Sequence, residues 1–307
     1  MTEKIRGVLA PVVTPFKADL SPDPQRFVAH CKWLLSQNCG LAVFGTNSEA
    51  NSMSSEEREK LLDVLVSAGV DPSRMMPGTG CCSITETVRL TARAVKRDCA
   101  GVLMLPPFYY KQVSEDGLYA YFSEVVQRVS DSRLKIYLYH IPSVAIVGIS
   151  PRLVERLLKD YPGTIAGMKD SSGDWNNTAA LLERFPGFSV FPGSEVFLLD
   201  GLRKGGVGCI TATGNVNVTG IRKVYENWRT PQADQLQAEI TNLRKTIQAY
   251  PMVPALKRIV AHFHHDPDWA AVRPPMVPLT EAQSAALIGD LARVGFTLGE
   301  RRREAAE

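Results

Sequence analysis

Eight times between residue 7 and about residue 220, a short apolar run gives way to an amphipathic stretch, and no other feature constrains the fold as much. The runs are Gly7–Val13, Gly40–Phe44, Arg74–Pro77, Gly101–Leu105, Lys135–Tyr139, Thr164–Met168, Phe188–Phe191 and Val207–Thr211. Strands this uniformly apolar are buried on both faces, and the intervening amphipathic segments supply the helices that cover them. The helices are expected over about 23–37, from Ser54 or Ser55, over 83–97 and 114–130, and from about Pro151, Asn176, Glu195 and Val218. Glu56, Glu57 and Glu59 fall in the first turns of the second helix, where carboxylates suit the helix dipole. Eight such units predict an α/β fold, a (β/α)8 TIM barrel. The rival, an open doubly wound sheet, is disfavoured because no Gly-x-Gly-x-x-Gly follows an early strand.

Beyond the eighth unit the pattern changes. Segments 231–250, 253–262 and 280–294 read as helices with no strand between them. They predict a barrel domain over 1–230 and a C-terminal helical segment over 231–307, which either caps the barrel or helps assemble subunits. Arg301, Arg302 and Arg303 read as a solvated helix end.

Composition narrows the function. A net charge of +3 with dispersed basic residues argues against nucleic acid or an anionic membrane as partner. No run approaches the ~20 apolar residues of a membrane span, and the polar Met1–Arg6 lacks an apolar signal core. The cysteines at 31, 39, 81, 82, 99 and 209 have neither metal-ligand spacing nor a disulfide framework. A reduced, cytoplasmic enzyme is expected. His262, His264, His265 and Asp266 are spaced poorly for chelation and read as a surface cluster, so no metal is expected. Gly78-Thr79-Gly80 is a turn and not a phosphate loop.

Barrel active sites lie at the C-terminal ends of the strands. There the sequence places Thr14-Pro15-Phe16, Gly45-Thr46-Asn47-Ser48-Glu49, Phe108-Tyr109-Tyr110, Tyr139-His140-Ile141-Pro142 and Lys169-Asp170-Ser171-Ser172-Gly173-Asp174. Lys169 ends an apolar strand, so its amine is expected in the barrel mouth. An amine desolvated in this way holds its proton less tightly and attacks ketones to give an iminium. The alternative is a rim lysine paired with Asp170 or Asp174. Tyr139, on the neighbouring strand, is either a proton-transferring phenol or a core aromatic. Thr46 and Asn47 lie in a turn that either cradles a carboxylate or is ordinary turn chemistry.

These motifs together resemble the dihydrodipicolinate synthase / N-acetylneuraminate lyase family of class I aldolases. The resemblance runs from about Gly7 to Gly220. It rests on Thr14-Pro15-Phe16, Gly45-Thr46-x-x-Glu49, Pro107-Phe108-Tyr109-Tyr110, Tyr139-x-x-Pro142, Lys169 to Asp174, and Gly205-Gly206-Val207-Gly208. It implies a metal-independent lyase with no cofactor beyond the covalent Schiff base on Lys169. Tyr139 would transfer protons, and Thr46 with Tyr110 from a neighbouring subunit would complete a hydroxyl relay in a homotetramer. The substrates implied are pyruvate or another 2-keto acid and an aldehyde. Thr46 and Asn47 would hold the keto-acid carboxylate, and Ile210, His140, Val144, Gly193 and Glu195 would face the substrates.

The departures from the family pattern are informative. Val144 stands where the synthase has an arginine for the carboxylate of aspartate semialdehyde, which disfavours 4-hydroxy-tetrahydrodipicolinate synthase. Ser194, Glu195, Val196 and Ala212 match the sugar-gripping residues of sialic-acid lyase only at Glu195. His140 either contacts the second substrate or replaces an asparagine in a structural hydrogen bond. Two alternatives stay open, a 2-keto-3-deoxy sugar acid dehydratase using the same Schiff base and a non-catalytic keto-acid sensor.

Overall fold

The computed structural model describes residues 4–298; the arginines at 301–303 lie outside them. Seven strands form: β1 (Gly7–Ala10), β2 (Gly40–Leu41), β3 (Val102–Met104), β4 (Ile136–His140), β5 (Ile165–Asp170), β6 (Ser189–Pro192) and β7 (Gly208–Ile210). All are paired in parallel, as β2-β1-β7 and as β3-β4-β5-β6. The expected third strand is not a regular one. Residues 75–79 nonetheless bridge the two sheets, through Met76 N to Leu41 O at 2.8 Å and Leu103 N to Pro77 O at 2.8 Å. Pro77 has no N–H to donate, so the ladder is interrupted there. On the other side Val207 N donates to Val190 O at 3.3 Å. The sheet thus closes on itself as a TIM barrel.

The strands are shorter than their apolar runs predict, because the runs continue into buried loops at the barrel mouth. Helix starts follow the sequence more closely. Asp23, Ser54, Ser83, Ser114, Ser150 and Asp174 each cap a barrel helix through the side chain, and Ser54 and Glu57 form a reciprocal box. The helix expected from Glu195 begins instead as a 3-10 turn, Glu195–Phe197, before Leu198–Arg203. A short helix, Pro142–Ala145, follows β4 and was not expected.

Two apolar layers result. Leu9, Ala42, Met76, Leu103, Tyr137, Tyr139, Phe191 and Ile210 fill the barrel, while the opposite strand faces pack on the helices. Gly167 permits this filling. A Cβ there would lie 2.6 Å from the Tyr137 ring and 2.3 Å from Ser189 O.

The C-terminal helices are Ala233–Gln248, Met252–Phe263 and Glu281–Arg293. The first two close over the C-terminal end of the barrel. Gln237 Nε2 donates to Glu195 O at 2.9 Å, and Lys257 reaches Glu49 beside the β2 loop. Of the two roles expected for this segment, capping the barrel is the one visible here. No helix among the described residues is long and apolar enough to cross a membrane.

Candidate active site

Tyr139 and Lys169 are register partners on β4 and β5, both on the barrel-facing side. Lys169 is 3% exposed and Tyr139 2%. Lys169 Nζ donates to the Tyr139 hydroxyl at 3.2 Å, and that hydroxyl lies 3.2 Å from Thr46 Oγ1. One buried chain of polar groups therefore runs from the amine to the β2 loop.

Neither nearby carboxylate is the amine's partner. Asp170 faces the outer side, where Thr178 Oγ1 donates to it at 2.5 Å and Ser172 N at 3.0 Å. Asp174 accepts from Asn176 N at 2.9 Å as a helix cap. The Lys169 amine thus meets a phenol and no carboxylate at the barrel mouth.

Thr46 and Asn47 sit in the 3-10 turn Thr46–Ser48, whose exit residue Glu49 has φ +57°. A left-handed glutamate is strained, and persists where its surroundings hold it. Here Lys257 donates to one carboxylate oxygen of Glu49 and Arg273 N to the other, the latter at 2.9 Å. Lys257 also donates to Ala271 O at 2.6 Å. Both side chains of the pair are buried. Burial pushes the Lys257 amine down to about 8, against the pull of Glu49. Thr14 Oγ1 adds a bond to Ser48 O at 2.8 Å.

A cavity of about 650 Å³ opens above Lys169. Of the residues expected at the site, Thr46, Asn47, Tyr139, Val144, Lys169 and Gly193 line it. Four others lie elsewhere in the chain as a single copy. Tyr110 is 73% exposed on the loop after β3, its ring edge-on to Tyr109 at 5.2 Å. Ile210 is fully buried inside the barrel, beneath the cavity. His140, one residue beyond Tyr139, faces outward and accepts from Ile149 N through Nδ1 at 2.9 Å. Burial pushes its imidazole below the ordinary value, against the Asp170 carboxylate. Glu195 is buried behind the wall, accepting from the Thr211 and Thr213 hydroxyls.

The cavity also has a wall that sequence reasoning missed. Arg244 and Pro251–Pro254 come from the first two C-terminal helices and the turn between them, and Pro275–Val277 from the segment before the third. Lys257 carried a readable signal, since it occupies the apolar stripe Val253, Lys257, Val260 of its helix. Arg244 carried none, because arginine on an amphipathic helix is ordinary.

Comparison with known proteins agrees with this architecture. Residues 4–293 match the model of the Dihydrodipicolinate synthetase family. An uncharacterized DapA-like lyase of Chloroflexus aurantiacus is 31% identical over 293 residues, covering 94% of this chain and 97% of that protein. The crystal structure of dihydrodipicolinate synthase from Agrobacterium tumefaciens superposes with a TM-score of 0.88 at 32% identity, over 94% of this chain and 99% of that one. YagE, an E. coli K12 prophage protein of the dihydrodipicolinic acid synthase family solved in complex with pyruvate, gives 0.87 at 26% identity, over 95% and 99%. The chain is a member of the dihydrodipicolinate synthetase family and is similar to a lyase of that kind.

Proposed function

We propose that this protein makes or breaks a carbon–carbon bond between a 2-keto acid, pyruvate in the simplest case, and an aldehyde, through a Schiff base on Lys169. The observation that carries this reading is the buried chain Lys169–Tyr139–Thr46 at the floor of the cavity. A relative of the same family is described in complex with pyruvate, which supports the choice of keto acid.

The Lys169 amine adds to the ketone carbon to give a carbinolamine. Tyr139 delivers a proton to the departing hydroxyl, and water leaves to form the iminium. The Tyr139 phenoxide left by that step takes a proton from the adjacent carbon to give the enamine. Its carbon attacks the aldehyde, the new alkoxide takes a proton from Tyr139, and water then hydrolyses the iminium to restore the amine. Thr46 returns protons to Tyr139. Tyr110 of a neighbouring subunit extends the relay in a tetramer, which gives a purpose to a tyrosine so exposed in one chain. Thr46 and Asn47 hold the keto-acid carboxylate. Val144, in place of the synthase arginine, argues against 4-hydroxy-tetrahydrodipicolinate synthase activity of the usual kind.

Borohydride reduction in the presence of pyruvate, followed by intact-mass measurement and peptide mapping, tests the reading. A stable adduct on Lys169 is expected, absent in Lys169→Ala. No adduct with pyruvate or longer 2-keto acids, or one on another lysine, overturns it.

A further inference from the structure

The cavity divides by chemistry. Its floor carries Lys169, Tyr139, Thr46 and Asn47, the groups that the proposed cycle uses. Facing them is a wall of hydrocarbon, Val144, Phe197, Met252, Val253, Met276 and Val277. Val144 and Val277 are 60% and 73% exposed against 3% for Lys169, so this wall forms the outer part. Its residues come from four places in the chain. Val144 belongs to the short Pro142–Ala145 helix and Phe197 to the 3-10 turn after β6. Met252 and Val253 begin the second C-terminal helix, and Met276 and Val277 precede the third. Four separate segments agreeing in this way are not the by-product of one amphipathic face.

Three charged side chains also line the cavity, and each is engaged. Lys169 is committed to the ketone. Asp170 accepts from Thr178 Oγ1 and from Ser172 N. Arg244 is paired with the buried Glu195 carboxylate at 3.4 Å, and its Nε donates to Gln248 Oε1 at 3.2 Å. A carboxylate or phosphate on the second substrate would therefore meet no unpaired cation among the lining residues. The other polar side chains on that side are the hydroxyls of Ser143, Ser171 and Ser194, the last of which accepts from Val196 N at 3.3 Å. A polyhydroxylated aldehyde would set most of its hydroxyls against hydrocarbon, where an unpaired hydroxyl is costly.

The kinds of apolar residue narrow the choice further. Thioether sulfurs make favourable contacts with ring edges, and methionine side chains adapt to the shape that meets them. Two of the six wall residues are methionines. Phe197 offers a ring for edge-to-face or offset packing, and it is held by Trp175 at 5.7 Å between centroids. An aromatic body laid on this wall also withdraws Val144 and Val277 from water.

We infer that the aldehyde partner is aromatic, a carbonyl carried on an uncharged ring that the apolar wall covers. This rests on the Schiff-base reading and names its second substrate. In the joining direction the enamine carbon bonds to the aldehyde carbon and the new alkoxide takes a proton from Tyr139. Hydrolysis of the iminium then releases a 4-aryl-4-hydroxy-2-keto acid, and cleavage runs the same steps backwards.

The test follows pyruvate consumption with benzaldehyde, D-glyceraldehyde or succinic semialdehyde, with products identified by mass. The KM for benzaldehyde is expected to lie roughly 10- to 100-fold below those of the two polar aldehydes, the range for burying one aromatic ring. Val144→Ser and Val277→Ser change exposed wall residues, and each should raise the benzaldehyde KM about threefold or more. A polar aldehyde with a KM at or below that of benzaldehyde overturns the inference, as does a benzaldehyde KM that neither variant raises. So does a protein that forms the pyruvate adduct yet turns over no benzaldehyde. Failure to form any adduct with pyruvate sinks the Schiff-base reading itself, and is thereby distinguished from the other three results.

Discussion

Lys169 stands opposite Tyr139 because β5 carries one residue more than β4 over the same stretch. Ile136 pairs with Ile165 but Tyr137 pairs with Gly167, which leaves Ala166 as the extra residue of a bulge. Side chains alternate between faces along a strand, so one inserted residue reverses the phase of all that follow. Were Ala166 paired with Tyr137 in a regular ladder, Lys169 would fall opposite His140 and point at the helices. The nucleophile's direction is set three residues before it.

Inserting one alanine between Ala166 and Gly167 moves Lys169 opposite His140 and should therefore abolish the trapped adduct on this lysine, although the lysine remains in the chain. The variant should also lose several kcal/mol of stability, since a polar amine is turned into an apolar layer. Adduct mapping and urea melts measure the two effects. An adduct on the same lysine at the wild-type rate would show that the register of the strand does not aim it.

Tyr139→Phe keeps the aromatic body that fills the barrel and removes the hydroxyl that meets Lys169 and Thr46. Proton transfer by a positioned group is worth roughly 10²–10⁴ in rate. Adduct formation followed by rapid quench should slow by about that factor. The melting free energy should change by only about 1–3 kcal/mol, the net contribution of the two hydrogen bonds lost. Unchanged trapping kinetics would remove Tyr139 from the chemistry.

The Glu49–Lys257 pair gives a different kind of prediction. Lys257→Met leaves a buried carboxylate with only the Arg273 amide to meet it, and should cost about 3–5 kcal/mol. Adding Glu49→Gln removes the orphaned charge, so the double variant should be more stable than Lys257→Met alone. Because Glu49 ends the turn bearing Thr46 and Asn47, half-saturation by pyruvate should shift to higher concentration in Lys257→Met. A double variant no more stable than the single one would show that charge burial is not what the pair controls.

The barrel was legible because apolar runs and helix caps are local signals. Ser54 with Glu57, and Pro151 after Ser150, fix helix starts within a few residues of chain. Lys169 and Tyr139 were legible because each ends its apolar run. What escaped depends on distant partners. Lys257 meets Glu49 across 208 residues, and Arg244 reaches Thr211 only when the tail folds over the mouth. Glu195 and Ile210 stood at the right strand ends, but one is spent inside a threonine clasp and the other fills the barrel. The bulge at Ala166 is a difference between two strands, which neither strand's pattern displays.

His140 shows how such a context decides a role and its pH dependence. Its Nδ1 accepts from Ile149 N, which requires the neutral ring, and this bond anchors the segment that follows Ile146. Burial lowers its proton affinity in the folded state, with Asp170 opposing. The unfolded chain, with an ordinary value of 6.5, therefore takes up a proton before the folded chain does as pH falls. At pH values well above 6.5 neither state is charged and stability does not depend on this residue. Below 6.5 the unfolded state binds more protons, so stability falls with pH until the folded value is passed. In His140→Asn the amide oxygen can accept from Ile149 N, and this acid-side slope should flatten while the contribution of the carboxylates remains. Urea melts of both proteins between about pH 5 and 8 give the difference directly. Coincident pH profiles would mean that His140 is not held neutral by the fold, and would return it to the list of residues that could meet the substrate.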